Sequence, residues 1–286
     1  MIRPATLEEQ MQIKINPPLT TSQLRRLNVL KPGETARDFL AAAIGKARPY
    51  SATLSQSPKV KVTGDHWPTI LYMAPHKISG LENCTWAMIC KTYCLVTESG
   101  KCGIAKAAIA KGTMELNVYL RARILRTWRY HLAPAFFWRE LGAELMAHSV
   151  EAYKARLIPA FRFNGGSDRA NWYTEAPDHV RGILSEFRLW DYTKCRELPA
   201  SNWPVHKTFS VQGMRDLDAA REWLKAGRNV AMIFPKGHMP ASWEGHPVLN
   251  GDDDDLRFLD PAGHICGLTA KGVKSANKER AGAFLG

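Results

Sequence analysis

The sequence predicts an α/β fold built of parallel β/α units, and three observations carry that prediction. From Leu157 onward, short apolar runs alternate with segments of helical period. The residues that end each run are unusually polar: Asn164 with Asp168, Asp191 with Lys194, then Gln212, then Lys236. A cysteine-rich loop follows the first strand in the same way. Functional loops in parallel folds lie beyond the carboxyl ends of the strands, so a sheet curving into a partial barrel gathers all of these at one mouth.

Residues 1–64 read as an irregular N-terminal extension. Pro4, the Pro17–Pro18 pair, Pro32 with Gly33, and Pro49 interrupt it, and one short amphipathic helix fits Ala36–Gly45. The β/α core is assigned to 65–270. Its first strand covers Thr69–Met73, a short apolar run bounded by Pro68 and Pro75. After the cysteine loop a helical region runs from Ile104 to about His131, breaks at Pro134 and resumes from Ala135 to about Ala155. Phe137, Leu141, Leu145 and His148 form its core stripe, and His148 reads as a satisfied core or boundary histidine. Next come a strand over 157–163, a helix over 178–187, and strands over 188–192 and 207–211. A helix over 215–225 stops before Gly227, which suits a C-terminal cap, and a strand covers 229–234. Leu256–Leu259 and His264–Leu268 read as two short strands around the turn 260–263. The tail 271–286 is basic.

With 286 residues, 45% hydrophobic and 23% charged, the chain has an ordinary globular composition and enough length for a sizeable core. No apolar run reaches the roughly 18 residues that cross a bilayer, and the N-terminus lacks a hydrophobic signal core. The expectation is a cytoplasmic protein, away from membranes, with reduced cysteines. Its 39 Lys and Arg against 27 Asp and Glu give a formal charge of +12, which favours encounter with nucleic acid; a basic surface without a specific partner is the other reading.

Four of the six cysteines, Cys84, Cys90, Cys94 and Cys102, fall within 84–102. Thiolates gathered on one loop suit a structural zinc or an iron–sulfur cluster. Disulfides would need an oxidising compartment, and buried inert thiols are the third reading. Along the helix before Pro134, Arg121, Arg123, Arg126 and Arg129 spread opposite the stripe of Leu120, Ile124, Thr127, Trp128 and His131. That pattern fits a nucleic-acid-contacting helix or a solvated basic face. Asp168, Asp191 and Lys194 form a candidate acid/base set at the barrel mouth. Asp252–Asp255 reads as a solvated turn or, alternatively, as a divalent-cation loop. The G-x-S-x-G, P-loop, H-E-x-x-H and G-x-G-x-x-G motifs are absent from the sequence.

Several stretches together resemble a family of phage-encoded proteins, the gene product 88 type, over about 71–274. They are the Cys84, Cys90, Cys94 loop, Arg162-Phe-Asn-Gly-Gly-Ser-Asp168, Trp190-Asp-Tyr-Thr-Lys194, Thr208-Phe-Ser210, Gly251 to Pro261, and Gly267 to Gly272. The resemblance supplies a context and no reaction. More distantly, cysteines after a first strand followed by β/α units look like a radical-SAM-type partial barrel. That likeness implies an iron–sulfur cluster held by Cys84, Cys90 and Cys94, with S-adenosylmethionine on the open iron. It also implies cofactor contacts from Asn164, Gly165, Gly166 and Gln212. The spacing departs from the usual C-x3-C-x2-C, being C-x5-C-x3-C, and Cys102 as a fourth ligand would favour a structural metal. Two functions therefore stand open. One is an iron–sulfur enzyme acting on nucleic acid or nucleotides. The other is a non-catalytic nucleic-acid-binding or replication-associated protein with a structural zinc.

Overall fold

A computed structural model of the chain describes residues 15–45, 54–55, 62–92, 94 and 117–269. Cys102, the expected start of the helical region at Ile104 and the basic tail 271–286 lie outside the described residues. Two short helices come first, α1 (Thr21–Arg26) and α2 (Ala36–Ile44). Each opens with a capping box, Thr20 with Gln23 and Thr35 with Asp38, in which side chains take the helix-terminal N–H groups that lack intrahelical partners.

Strands β1 (Leu54–Ser55) and β2 (His66–Leu71) pair antiparallel. The crossover to β3 (Ile158–Arg162) carries α3 (Ile89–Thr92), α4 (Val118–Leu132) and α5 (Pro134–Lys154). Pro134 stands in the first turn of α5, where a missing N–H costs nothing. The next crossover holds α6 (Trp172–Glu175) and α7 (Asp178–Leu184) and leads to β4 (Arg188–Thr193), followed by β5 (Val205–Ser210). Helix α8 (Leu217–Lys225) precedes β6 (Val230–Phe234), then β7 (Ser242–Trp243), β8 (His246–Asn250) and β9 (Ile265–Thr269). Gly227, at φ 71°, ends α8 as expected: its N–H donates to Leu224 O at 2.9 Å and that of Arg228 to Trp223 O at 2.8 Å.

The strand order is β1-β2-β3-β4-β5-β6-β9-β8-β7, parallel from β2 across to β8 and antiparallel only at the two ends. From β2 to β6, neighbours in sequence are neighbours in space, with no reversal. Right-handed crossovers in such a run place every helix on one face. The alternation of side chains agrees. Leu71, Phe161, Leu189 and Val205 pack with residues of α5 and α7, while Phe209, Val230 and Ile265 pack with Trp223 and Leu224 of α8. Ile70, Ala160 and Trp190, at the opposite parity, meet Leu256 and Phe258 of the 251–260 loop. The sheet is therefore mixed, mostly parallel, helical on one side and loop-covered on the other.

Residues 15–45, assigned from sequence to the extension, bury Leu24, Val29, Phe39 and Leu40 against Leu120, Ile124 and Trp128 of α4. Two elements differ from expectation. Leu256–Leu259 is not a strand but surrounds a 3-10 turn at Arg257–Leu259, closed by Leu259 N–H to Leu256 O at 2.9 Å. The β7–β8 hairpin was not anticipated. Its turn residues Glu244 (φ 47°) and Gly245 (φ 83°) both adopt the left-handed region, which a primed turn demands and which Asn-Gly usually announces. Among the described residues no helix is long and apolar enough to cross a membrane.

Candidate functional site

The described start of the cysteine loop, residues 82–91, lies across the carboxyl ends of β3, β4 and β5, held there by side chains from several elements. Cys84 forms a parallel bridge with Asp168, whose N–H donates to Asn83 O at 2.8 Å. The Asn83 amide nitrogen donates to Ala74 O at 2.9 Å and Thr127 Oγ1 at 3.1 Å. Its Oδ1 therefore accepts from His131 Nε2, 2.8 Å away. Burial, with the charge of Arg169, holds His131 neutral down to about pH 4. Glu82 accepts the Cys84 N–H at 2.9 Å and the Lys91 ammonium at 2.9 Å. Farther on, Gln212 Oε1 accepts the Met88 N–H at 2.7 Å and its Nε2 donates to Trp86 O at 3.2 Å. Gln212 thus grips two peptide groups of the loop.

The site concentrates groups that resist ionising side by side. Burial pushes the Cys84 thiol up to about 12, and Asp168, Cys90 and Cys94 push the same way. Its sulfur accepts the His76 N–H at 3.1 Å. Burial also raises Asp168, against the N–H and charge of Lys194. Asp168 accepts from Thr193 Oγ1 at 3.2 Å and from Lys194 N–H at 2.9 Å. The Lys194 ammonium reaches Ser210, 2.6 Å from Oγ and 3.0 Å from the carbonyl. Lys207 is buried with Nζ 3.5 Å from Asp191 Oδ2, and its charge is felt by Asp168 as well.

A cation held here would have to take the proton that burial fixes on Cys84. Among the described residues no three His, Cys, Asp or Glu side chains are gathered closely enough to hold a metal ion.

Asn164 and Asp191 form a separate knot beneath the strand ends. Asp191 accepts from Asn164 N–H at 2.9 Å, Asn164 Nδ2 at 2.9 Å and Trp172 Nε1 at 2.6 Å, and is wholly buried. Asn164 spends its remaining capacity on Ser167 and Arg169, at 2.9 to 3.1 Å. Gly165 is where backbone comes close to β2: a Cβ there would lie 2.6 Å from Ile70 Cγ2 and 2.8 Å from Leu71 O. Gly166 follows it, half-buried.

The arginine helix is turned inward. Arg121, Arg123 and Arg129 are buried, and only Arg126 is partly exposed. Arg121 is paired with Glu34, donates to Val29 O at 2.7 Å and lies 4.8 Å over the Phe39 ring. Arg123 lies over Tyr72 at 5.1 Å. Arg129 is paired with Glu140 and donates to Ala43 O at 2.5 Å and Gly45 O at 3.1 Å, capping the C-terminus of α2. The face expected to meet phosphates is covered by residues 15–45 and by α5. His148, as expected, is satisfied: its Nε2 lies 3.0 Å from Trp67 O.

The structure thus brings Cys84, Asp168 and Lys194 together, with Gln212 on the neighbouring peptides, places Cys94 in the cluster of α2 and α4, and keeps Arg121, Arg123 and Arg129 away from solvent. Sequence reasoning gave no role to Asn83 or Lys207, single polar residues with no spacing signature, and placed His131 only on the core-facing stripe of its helix. No curated protein and no solved structure matches the chain. The family model described as gene product 88 matches residues 42–284, most of the chain and more than the resemblance read from sequence. The protein belongs to the gene product 88 family.

Proposed function

We propose that this is a metalloprotein whose loop 84–102 holds an iron–sulfur cluster at the mouth of a partial β/α barrel. The observation that carries this reading is the burial of Cys84 beside Cys90, Cys94 and Asp168, over the strand ends, with its sulfur accepting a backbone N–H. Hydrogen bonds to sulfur and burial are the means by which proteins tune such clusters. The run from β2 to β6, unreversed until β9, β8 and β7 follow in backward order, supports a barrel wall rather than a doubly wound sheet.

Three thiolates leave one iron open to S-adenosylmethionine or substrate, and Cys102 as a fourth ligand would close it. Around that position burial raises the Asp168 carboxyl above its ordinary value, and Lys194 stands beside it with its Nζ fixed on Ser210. Gln212 keeps the loop seated. The formal charge of +12 supports a nucleic-acid or nucleotide substrate.

Anaerobic purification of the full chain, followed by an absorption spectrum and iron, sulfide and zinc determination, tests this. Iron with acid-labile sulfide, lost in Cys84→Ser and Cys90→Ser, is the expected result. Zinc in place of iron would end the enzyme reading and leave a structural site. A protein that binds neither metal would overturn the proposal altogether.

A further inference from the structure

On the sheet face opposite the helices, a second polar cluster shares no residue with the cysteine loop. Trp190 pairs with His206, and Tyr192 with Thr208, across β4 and β5. Arg162, at the end of β3, lies 4.6 Å over the Tyr192 ring. The acidic run of the 251–260 loop settles onto these residues. Asp255 accepts from Arg162 at 2.6 Å and from Tyr192 Oη at 3.4 Å. Asp254 accepts from Arg257 at 2.7 Å, and Arg257 also donates to Cys266 Sγ at 2.8 Å. Phe258 meets Trp190 edge-on at 5.6 Å. Gly251 permits the approach, because a Cβ there would stand 2.2 Å from Cys266 Sγ.

Asp254, Asp255 and Asp260 of this loop still leave several donors unused. Arg162 Nε, Arg257 Nε, Trp190 Nε1, His206 Nε2 and Thr208 Oγ1 are buried without a hydrogen-bond partner among the described residues. Trp190, Thr208 and Arg257 are at most 1% exposed. Each of these atoms is an N–H or O–H donor or, for the His206 nitrogen, one in one tautomer; Asp260 Oδ2, ion-paired with Arg257 at 3.2 Å, is an acceptor left without a hydrogen bond beside them, so donors outnumber acceptors on this face. Two guanidiniums, an indole N–H and a hydroxyl converging from three strands and one loop match a group with several oxygens on one centre.

We propose that this face is an oxyanion-binding site of the phosphate type, and that Asp254 and Asp255 are its internal occupants. A phosphate group displaces Asp255 from Arg162 and Tyr192 and takes up the donors that a planar carboxylate leaves idle. The phosphate is either the free ion or part of a nucleotide. Arg162 and Arg257 supply the charge, while Trp190 and Thr208 supply neutral donors that fix its orientation.

The test is calorimetric titration of the full chain with inorganic phosphate, with a nucleoside monophosphate, and with chloride at matched ionic strength. Phosphate binding above the chloride background is expected. It should weaken roughly tenfold in Trp190→Phe and in Thr208→Val, which remove one donor each; only the second keeps the volume. Thr208→Val loses an unpartnered polar group at constant volume and should fold at least as well as the parent, while Trp190→Phe leaves a small cavity and is read only after its folding is checked by circular dichroism. Asp255→Asn is expected to tighten binding, because the competing carboxylate is weakened. Binding of the inorganic ion identifies free phosphate as sufficient; binding of the nucleotide alone identifies a larger ligand held by its phosphate. Binding of neither, or equal affinity in parent, Trp190→Phe and Thr208→Val, would overturn the site. An Asp255→Asn protein no tighter than the parent would overturn the role of the acidic run.

Discussion

At the scale of single residues, the seat of the cysteine loop depends on a histidine kept neutral. His131 donates to Asn83, and Asn83 in turn holds Ala74, Thr127 and Asp168. In the folded chain this imidazole takes a proton only near pH 4, whereas the unfolded chain takes one near 6.5. Between those values the unfolded state binds more protons, so stability is full above 6.5 and falls as the pH drops towards 4. His206, lowered to about 4 by burial with Arg228 and Arg257, acts in the same direction. Each group contributes up to about 3 kcal/mol over that window. Urea unfolding at pH 7 and pH 4.5 should show the loss. His131→Gln keeps a donor for Asn83 but cannot titrate, so its pH profile should be flatter than the parent's; an identical slope would remove His131 from this account.

At the scale of elements, α4 shows what periodicity reveals and what it omits. The helical wheel correctly separates Leu120, Ile124 and Trp128 from the arginines, yet a wheel says nothing about what covers the second side. Here α2 ends against Arg129, and Glu34 and Glu140 come from other elements to pair with the guanidiniums. Arg129→Ala would leave Glu140 and the α2 carbonyls without their donor, costing about 3–5 kcal/mol. Chemical denaturation should register that loss before any effect on nucleic-acid affinity appears; a variant as stable as the parent would refute the capping role. The elements with strong period, α5, β3, β4 and β6, were legible to within a few residues because burial on a known face dictates their pattern. The β7–β8 hairpin was not, since Glu244-Gly245 lacks the usual turn signature, and Leu256 to Leu259 mimicked a strand because its apolar residues cap a sheet face. In the site, the polar strand ends Asp168 and Lys194 were legible because position on a parallel sheet foretells their meeting, whereas the expected gathering of thiols is not seen among the described residues. Asn83, His131 and Lys207 act through contacts between distant segments, which no local pattern encodes.

At the scale of the whole molecule, residues 82–91 are held by the ends of β3, β4 and β5 and, through Asn83, by α4, so a metal bound there as proposed would be linked to the stability of the fold. Without metal, folded Cys84 keeps its proton to about pH 12, while an unfolded cysteine loses it near 9. The metal-free fold therefore weakens as the pH rises through that window. A bound metal replaces the proton, and its affinity should rise by up to about tenfold per pH unit for each thiol proton released. At a hundredfold excess over its dissociation constant a metal that binds only the folded chain adds about 2.7 kcal/mol. Thermal unfolding of the metal-free chain with and without added zinc or ferrous iron, at pH 6.5 and pH 8, measures this. The midpoint should rise on addition, more at pH 8 than at 6.5, and Cys84→Ser should abolish both the rise and its pH dependence. Gln212→Ala, which frees the peptides of Trp86 and Met88 but leaves every sulfur in place, should shrink the rise without removing it. Equal shifts in the parent and in Cys84→Ser would mean that the metal binds elsewhere, and that the loop over the strand ends is held by its hydrogen bonds alone.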